Sequence, residues 1–415
     1  MLRTFSHWRS SSTYRINAHH HRKPFRFHVM TVLSSIVLLV VLGTPSHEVL
    51  GAEPRPIRIG ATVSLSGKYM EPSQMIQAGY RLWARQINNR GGLLGRAVEL
   101  VLYDDRSDIQ QTRTLYKQLI EHDGVDLVLS PYSTPLTLAA SEVSEQHHML
   151  MLAVAAAGEA PWQKNARALF QLYAPAKRQF IGLLDMMARK NLDSLAILYD
   201  ETSAFNRDVV AGIAEWAALF KIDIVYQKGY RDGPKELPAL LTEIEARAPR
   251  GLVLSAYPPD SYALMQLLEE RGYRPPVLGM PIVPAHPEFQ KKVGDMAEQV
   301  FGPSQWEPDE RIPFPGTRRF VKSFTHFAGH LPSFHAASAY SACQLLQEAI
   351  TRTQSIDNKK LCDYIAALDT VTVLGRFKVD PSGKQIGHNS FIIQWQNGRK
   401  EIVWPQKMQT ARPVF

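Results

Sequence analysis

The feature that most constrains this chain is a rhythm. Short apolar runs alternate with amphipathic stretches, and the pattern is played twice. Ile57-Arg-Ile-Gly-Ala-Thr-Val63 reads as a strand. Gln74 to Asn88 reads as a helix, with Ile76, Gly79, Trp83 and Ile87 on one face at three- and four-residue spacing. Asn89-Arg-Gly-Gly92 ends it, as glycine does just past a helix. Val98 to Tyr103 is a strand, Leu115, Leu119 and Ile120 mark a helix, and Val125–Leu129 and Leu150–Val154 are further short strands. The rhythm restarts after about residue 175. Strand Leu195–Tyr199 precedes a helix bearing Val209, Ile213, Trp216 and Phe220; strand Ile222–Tyr226 precedes helix 235–248; strand Leu252–Tyr257 precedes helix 260–271; Val277–Met280 is a short fourth strand. Strands alternating with helices predict parallel sheets built from right-handed βαβ units, and two such runs predict two α/β lobes. The end of the chain breaks the pattern. Two helices, near 333–352 and 358–368, precede Gly375–Gly383 and Asn389–Trp404, which read as a hairpin-like pair of strands with a turn signal at Asp380-Pro-Ser-Gly.

Charge matters only after it is located. The chain carries a net +8, but residues 1–52 hold six basic residues against the single acid Glu48, so +5 lies there and +3 remains for the rest. Within that segment, Val29 to Gly43 is an apolar run of 15 residues behind a basic region. A spanning helix needs about 20 apolar residues and a signal-peptide core about 7–15. Residues 1–52 therefore read as an export leader, with small residues Gly51 and Ala52 offering a cleavage point and Met30 an alternative start. An uncleaved membrane anchor is the competing reading. His19-His20-His21 falls inside the leader and is not taken as a metal site. The modest remaining charge disfavours a nucleic-acid partner.

Motifs for catalysis or cofactors do not occur. No G-x-G-x-x-G follows the first strand, and G-x-x-x-x-G-K-[ST], H-E-x-x-H and G-x-S-x-G are missing. Asp104-Asp105 and His147-His148 read as a strand end and a helix end rather than metal ligands. No metal, cofactor or nucleophile–base set is expected, so the chain does not read as an enzyme. What stands out is the chemistry of the loops after strands, where open α/β sheets bind ligands. Ser130-Pro-Tyr-Ser-Thr134 opens a helix, Ala155-Ala-Ala-Gly158 follows the next strand, and Tyr257-Pro-Pro-Asp260 follows a strand of the second run. Hydroxyls and free N–H groups at a helix N-terminus suit an anion, although Ser133 or Thr134 also caps that helix.

Several segments resemble the type I periplasmic solute-binding proteins, nearest the leucine/isoleucine/valine- and amide-binding receptors of branched-chain amino acid ABC transporters. They are Ile57–Gly67, Gln86–Gly95, Leu102–Asp105, Ser130–Thr137, Asp200–Phe205, Gly375–Asp380, and Gln394–Gly398 with Val403–Pro405. The resemblance spans roughly residues 55–405. It implies two Rossmann-like lobes with parallel sheets, joined by a three-strand hinge and closing like a clamp. Lobe one is expected over 56–174 and 307–372, lobe two over 175–303 and 376–405, with hinges near 172–176, 302–307 and 372–376. It also implies a periplasmic or exported monomer that delivers a small amino-acid-like, amide or carboxylate ligand to ABC permease subunits. The alternative is a sensor that reports the ligand to a separate signalling partner.

In amino-acid-binding relatives, a hydroxyl residue of the first polar loop and backbone groups of the second hold the ligand carboxylate. Those places match Thr134, with Ser133 and Tyr132 beside it, and Ala155 and Ala157. The aromatic cover matches Phe205 and Tyr257, with Tyr69 and Trp306 as additions. One departure stands out. The glutamate that pairs with the ligand ammonium is replaced by Met280 or Pro281. Unless Asp260 or Glu201 substitutes, a buried ammonium is left unpaired, which is costly. The expected ligand thus has an anionic or amide group and an apolar or aromatic body. Export permits a disulfide between Cys343 and Cys362; two buried thiols fit the same apolar neighbours.

Overall fold

The computed structural model describes residues 54–163 and 167–415. The leader reading for residues 1–52 lies outside them. Among the described residues, the first run of the rhythm folds as a five-stranded sheet in the order β2-β1-β3-β4-β5. Its strands are β1 (Ile57–Val63), β2 (Val98–Asp104), β3 (Leu127–Leu129), β4 (Met151–Ala153) and β5 (Leu169–Gln171), all parallel. Helices α1 (Met70–Asn88), α2 (Ile109–Lys117) and α3 (Thr134–Gln146) connect them. The strands are apolar along most of their length because helices cover both faces of a parallel sheet.

The second run folds as a seven-stranded sheet in the order β14-β13-β10-β9-β8-β6-β7. It comprises β6 (Ser194–Asp200), β7 (Asp223–Tyr230), β8 (Gly251–Ser255), β9 (Val277–Gly279) and β10 (Val300–Ser304), mutually parallel, then the antiparallel β13 (Phe391–Gln396) and β14 (Arg399–Trp404). The chain runs through α4 (Ile181–Arg189), α5 (Ala204–Phe220), α6 (Leu237–Glu245), α7 (Pro258–Arg271) and α8 (Phe289–Val293) in this lobe.

After β10 the chain returns to the first lobe as α9 (Thr317–Ala328), α10 (Phe334–Thr353) and α11 (Asn358–Ala367). Helix α10 lies along α1: Trp83 Nε1 donates to Gln347 at 3.1 Å and Tyr340 donates to Gln86 at 2.6 Å. A small pair, β11 (Thr370–Val371) and β12 (Arg376–Phe377), stays with α10 through the Ser341 hydroxyl, which accepts from Leu374 N at 2.9 Å. The chain then enters β13. It therefore passes between the lobes after β5, after β10 and after β12, and this interweaving makes residues 53–415 one compact unit.

The C-terminal hairpin differs from the sequence reading. Gly375–Gly383 does not pair with Asn389–Trp404. Arg376 and Phe377 pair with β11, and the Asp380–Gly383 turn closes only an isolated bridge between Val379 and Gln385. The true hairpin is β13–β14, turned by Asn397 (φ 51°) and Gly398 (φ 73°). Asn-Gly supplies the two positive φ values that a tight hairpin turn needs, and it is a stronger signal than Asp-Pro-Ser-Gly. Helix α1 also begins at Met70 rather than Gln74, because Pro72 is tolerated in the first turn. Among the described residues, no helix is long and apolar enough to cross a membrane.

Candidate functional site

The first wall of the site comes from the loops after β3 and β4. They are tied from below: Ser130 Oγ accepts from Val154 N at 2.9 Å, Ser338 donates to Val154 O at 2.6 Å, and Tyr80 donates to Ser130 O at 2.9 Å. Ser133 caps α3, accepting from Leu136 N, and holds a backbone φ of 78° that non-glycine residues rarely adopt. Strain of this kind persists only where surrounding structure enforces it. Thr134 Oγ1 accepts from Gly158 N at 3.0 Å, which leaves its own proton free to donate. Pro135 sits in the first turn of α3, where a missing N–H wastes nothing. The result is a rigidly held helix N-terminus in which Leu136 N and Thr137 N are already bonded to Ser133 and Pro135 has no N–H, so that Thr134 offers the remaining N–H and a hydroxyl proton.

The second wall comes from lobe two. Phe205 enters at the start of α5, whose cap Ser203 accepts from Asn206 N at 3.4 Å. Asn206 Oδ1 in turn accepts from Ser255 Oγ at 3.2 Å, which fixes that helix to the end of β8. Tyr257 lies two residues past β8, at the head of α7. Between the walls lies a narrow cavity of about 20 Å³. It is lined by Tyr132, Ser133, Thr134, Ala155 and Ala157, by Phe205 and Tyr257, and by Tyr173, Gln179, Pro281, Ile282, Phe334 and His335.

The aromatic rings form one connected set. Tyr69 lies against Tyr132 (centroids 5.7 Å apart) and Tyr257 (4.6 Å), and His335 lies against Tyr132 (5.3 Å) and is stacked on Phe334 (4.0 Å). Burial pushes the pKa of Tyr132, Tyr173 and Tyr257 well up and that of His335 well down, so all four are neutral. Lys68 stands over the rings of Tyr69 (5.1 Å) and Tyr257 (5.5 Å), a cation–π position beside the cleft.

Among the described residues, the cavity lining contains no aspartate or glutamate. Pro281 lines it, while Met280 is buried with its N–H bonded to Phe301 O. Asp260 accepts from the Tyr230 hydroxyl at 2.7 Å, and Glu201 is paired with Arg231. Neither carboxylate faces the cavity.

The structure brings Tyr132, Ser133, Thr134, Ala155, Ala157, Phe205 and Tyr257 to one cavity and sets Tyr69 just behind them. Trp306 goes elsewhere. Its carbonyl accepts from Ser304 Oγ at 2.8 Å, and its ring packs on Phe320 with centroids 5.7 Å apart. Tyr173, Gln179, Phe334 and His335 went unread, because they come from the first crossing and the returning helix and carry no local motif.

Other polar clusters are structural. Asp105 is fully buried and accepts from Thr62 Oγ1 (2.6 Å), Ser64 Oγ (2.5 Å) and Ser107 N (3.0 Å). His147 pairs with Glu121 at 3.1 Å. Of the two readings left open for the cysteines, the structure has both free. Cys343 faces the buried side of α10 near Tyr80, whereas Cys362 on α11 neighbours Glu145 and Asp363. Burial pushes the Cys362 thiol up to about 12 and the Cys343 thiol well above its ordinary value, so neither is reactive.

With that geometry in place, comparison with known proteins places the chain. The family model described as periplasmic binding protein matches residues 56–400, and the chain belongs to that family. Among curated relatives, Leu/Ile/Val-binding protein homolog 8 of Brucella abortus is 22% identical over 403 residues, covering 92% of this chain and 99% of the relative. Among solved structures, the branched-chain amino acid transporter substrate binding protein LivJ from Streptococcus pneumoniae, in complex with isoleucine, superposes with a TM-score of 0.75 at 20% identity. That likeness covers 83% of this chain and 98% of LivJ. A solute binding protein of an ABC transporter from R. palustris, in complex with benzoate, gives 0.74 at 17% identity over 87% of this chain and 97% of its own. Proteins of this kind are solute-binding components of ABC transporters rather than enzymes, and the chain is a binding protein of that fold.

Proposed function

We propose that this protein is an exported receptor that captures a small carboxylate with an apolar, preferably aromatic, body and delivers it to the permease subunits of an ABC transporter. The single observation that carries the reading is the cavity lining. It offers hydroxyls and a helix N-terminus for an anion, aromatic walls for a ring, and no carboxylate for an ammonium. Lys68 beside the cleft adds to the field that draws an anion in. Family members act in the periplasm or outside the cell, and the basic, apolar leader agrees with that address. The benzoate complex of the R. palustris relative supports the ligand class.

In this reading Thr134, Ser133 and the backbone of Ala155 and Ala157 take the carboxylate, while Tyr132, Phe205 and Tyr257 enclose the body. The three passages between lobes, near 172–176, 302–307 and 372–376, act as the hinge. A thermal-shift screen of the mature protein tests it, because a ligand that binds only the folded form raises the melting temperature. Aromatic and branched aliphatic carboxylates are expected to raise it. A response confined to α-amino acids would defeat the reading.

A further inference from the structure

Two buried polar atoms in the cavity have no partner among the described residues: the Tyr173 hydroxyl and Gln179 Oε1. Both side chains are almost fully enclosed, at 4% and 5% exposure. Buried polar groups are nearly always paired, because an unpaired one forfeits its hydration without return. Two orphans lining one cavity therefore describe what should fill it.

Their chemistry is specific. An amide oxygen carries only lone pairs, so it accepts a proton and repels a carboxylate. A tyrosine hydroxyl both donates and accepts. Lining one cavity, they suit a group that donates to the amide oxygen and accepts from the tyrosine hydroxyl, which is a hydroxyl. The ligand's carboxylate is claimed by the N-terminus of α3, so this hydroxyl belongs to the ligand's body. The neighbouring walls, Tyr132, Phe334 and Tyr257, are aromatic and fit a planar ring.

We propose that the cavity is built for a hydroxylated aromatic carboxylate, with Gln179 and Tyr173 as the residues that select the ring hydroxyl. This rests on the carboxylate reading above. Tyr173 lies within the first passage between lobes, just after β5, and Gln179 past it, just before α4, so the bound hydroxyl ties the hinge segment to lobe two and favours closure.

Calorimetry of the mature protein with benzoate, 3-hydroxybenzoate, 4-hydroxybenzoate and 3,4-dihydroxybenzoate tests the inference. At least one hydroxylated ligand is expected to bind about tenfold or more tighter than benzoate. Gln179→Met should erase that advantage, lowering the affinity for the favoured hydroxybenzoate by more than it changes the affinity for benzoate. Tyr173→Phe should reduce the same advantage, and it serves if Gln179→Met does not fold. Benzoate binding as tightly as every hydroxylated ligand overturns the inference and spares the carboxylate reading. So does a Gln179→Met variant that weakens benzoate and hydroxybenzoates equally, since the amide would then be holding the carboxylate. Binding of none of the four defeats the carboxylate reading and the inference with it.

Discussion

The ring of Tyr69, from the first lobe, meets the ring of Tyr257, from the second, edge to face with centroids 4.6 Å apart and planes at 68°. This pair closes the aromatic set across the cleft. Such a contact contributes about 0.5–1.5 kcal/mol beyond the area it buries. Tyr257→Ala removes it and opens one wall of the cavity. Ligand affinity measured by calorimetry should fall about tenfold or more, with the circular dichroism spectrum unchanged. Unaltered affinity would show that the ring only fills space.

At Gly158 the two lobes are in contact. A Cβ there would stand 2.9 Å from Asp208 Oδ2 and 2.9 Å from Thr134 Cγ2. Asp208 belongs to α5 of lobe two and accepts from Glu159 N of lobe one at 2.8 Å. Gly158→Ala should therefore wedge the lobes apart and disturb Thr134 at once. The expected outcome is a loss of ligand affinity much larger than the loss of melting temperature in the unliganded protein. Equal losses would mean that the substitution damages the core instead.

Glu71, at the start of α1, is the other bridge. It accepts from the Tyr262 hydroxyl at 2.8 Å and binds Lys292, both from lobe two, with the neutral His286 ring beside it. Its carboxylate is largely shielded, so the pairing is stronger than an exposed surface bridge. Glu71→Ala should shift the protein toward an open form. Small-angle scattering with saturating ligand should then give a larger radius of gyration than the wild type, and affinity should drop by about tenfold. An unchanged radius and affinity would remove Glu71 from the closing mechanism.

Three buried histidines set the pH dependence. Burial holds His286 and His388 down at about 4, and His335 well below its ordinary value. Below about pH 6.5 the unfolded chain binds protons that the folded chain refuses. Stability therefore falls as pH drops from about 6.5 toward 4, by up to about 1.4 kcal/mol per pH unit for each group. Asp105, Asp208 and Asp260 act in the opposite sense, because burial raises their pKa in the fold and they take up protons first. The histidine contribution is isolated by His388→Gln, whose Nε2 has no partner to lose. Its melting temperature should decline less than that of the wild type between about pH 7 and about pH 5. Parallel curves would contradict a neutral His388.

The two-lobe α/β fold was legible because each long strand and helix carries its own period, as β1, β6 and α5 do. Two strands were not, although β3, β4 and β9, as short as β5, were. β5 has three residues, and β10 contains Gly302-Pro303, a pair that locally reads as a break. The polar loops at Ser133 and Ala155 stood out because a strand end followed by small or hydroxyl residues is a local signal. His335 and Gln179 were hidden for the opposite reason. His335 sits on α10, whose pattern describes burial, and Gln179 in the turn before α4, and only the passages between lobes bring them to the cavity. The cysteines show the same limit, since helix phase decides that Cys343 faces α1 while Cys362 faces the α3 side.

The most direct test of the central claim compares two ligands that differ by one group. Phenylalanine and 3-phenylpropionate share carboxylate, ring and chain length, and only phenylalanine carries an ammonium. A cavity without an acidic partner should reject the ammonium at a cost of several kcal/mol, about a hundredfold or more in affinity. Calorimetric titration of the mature protein is predicted to show 3-phenylpropionate binding at least that much more tightly. Equal binding, or a preference for phenylalanine, would contradict the account.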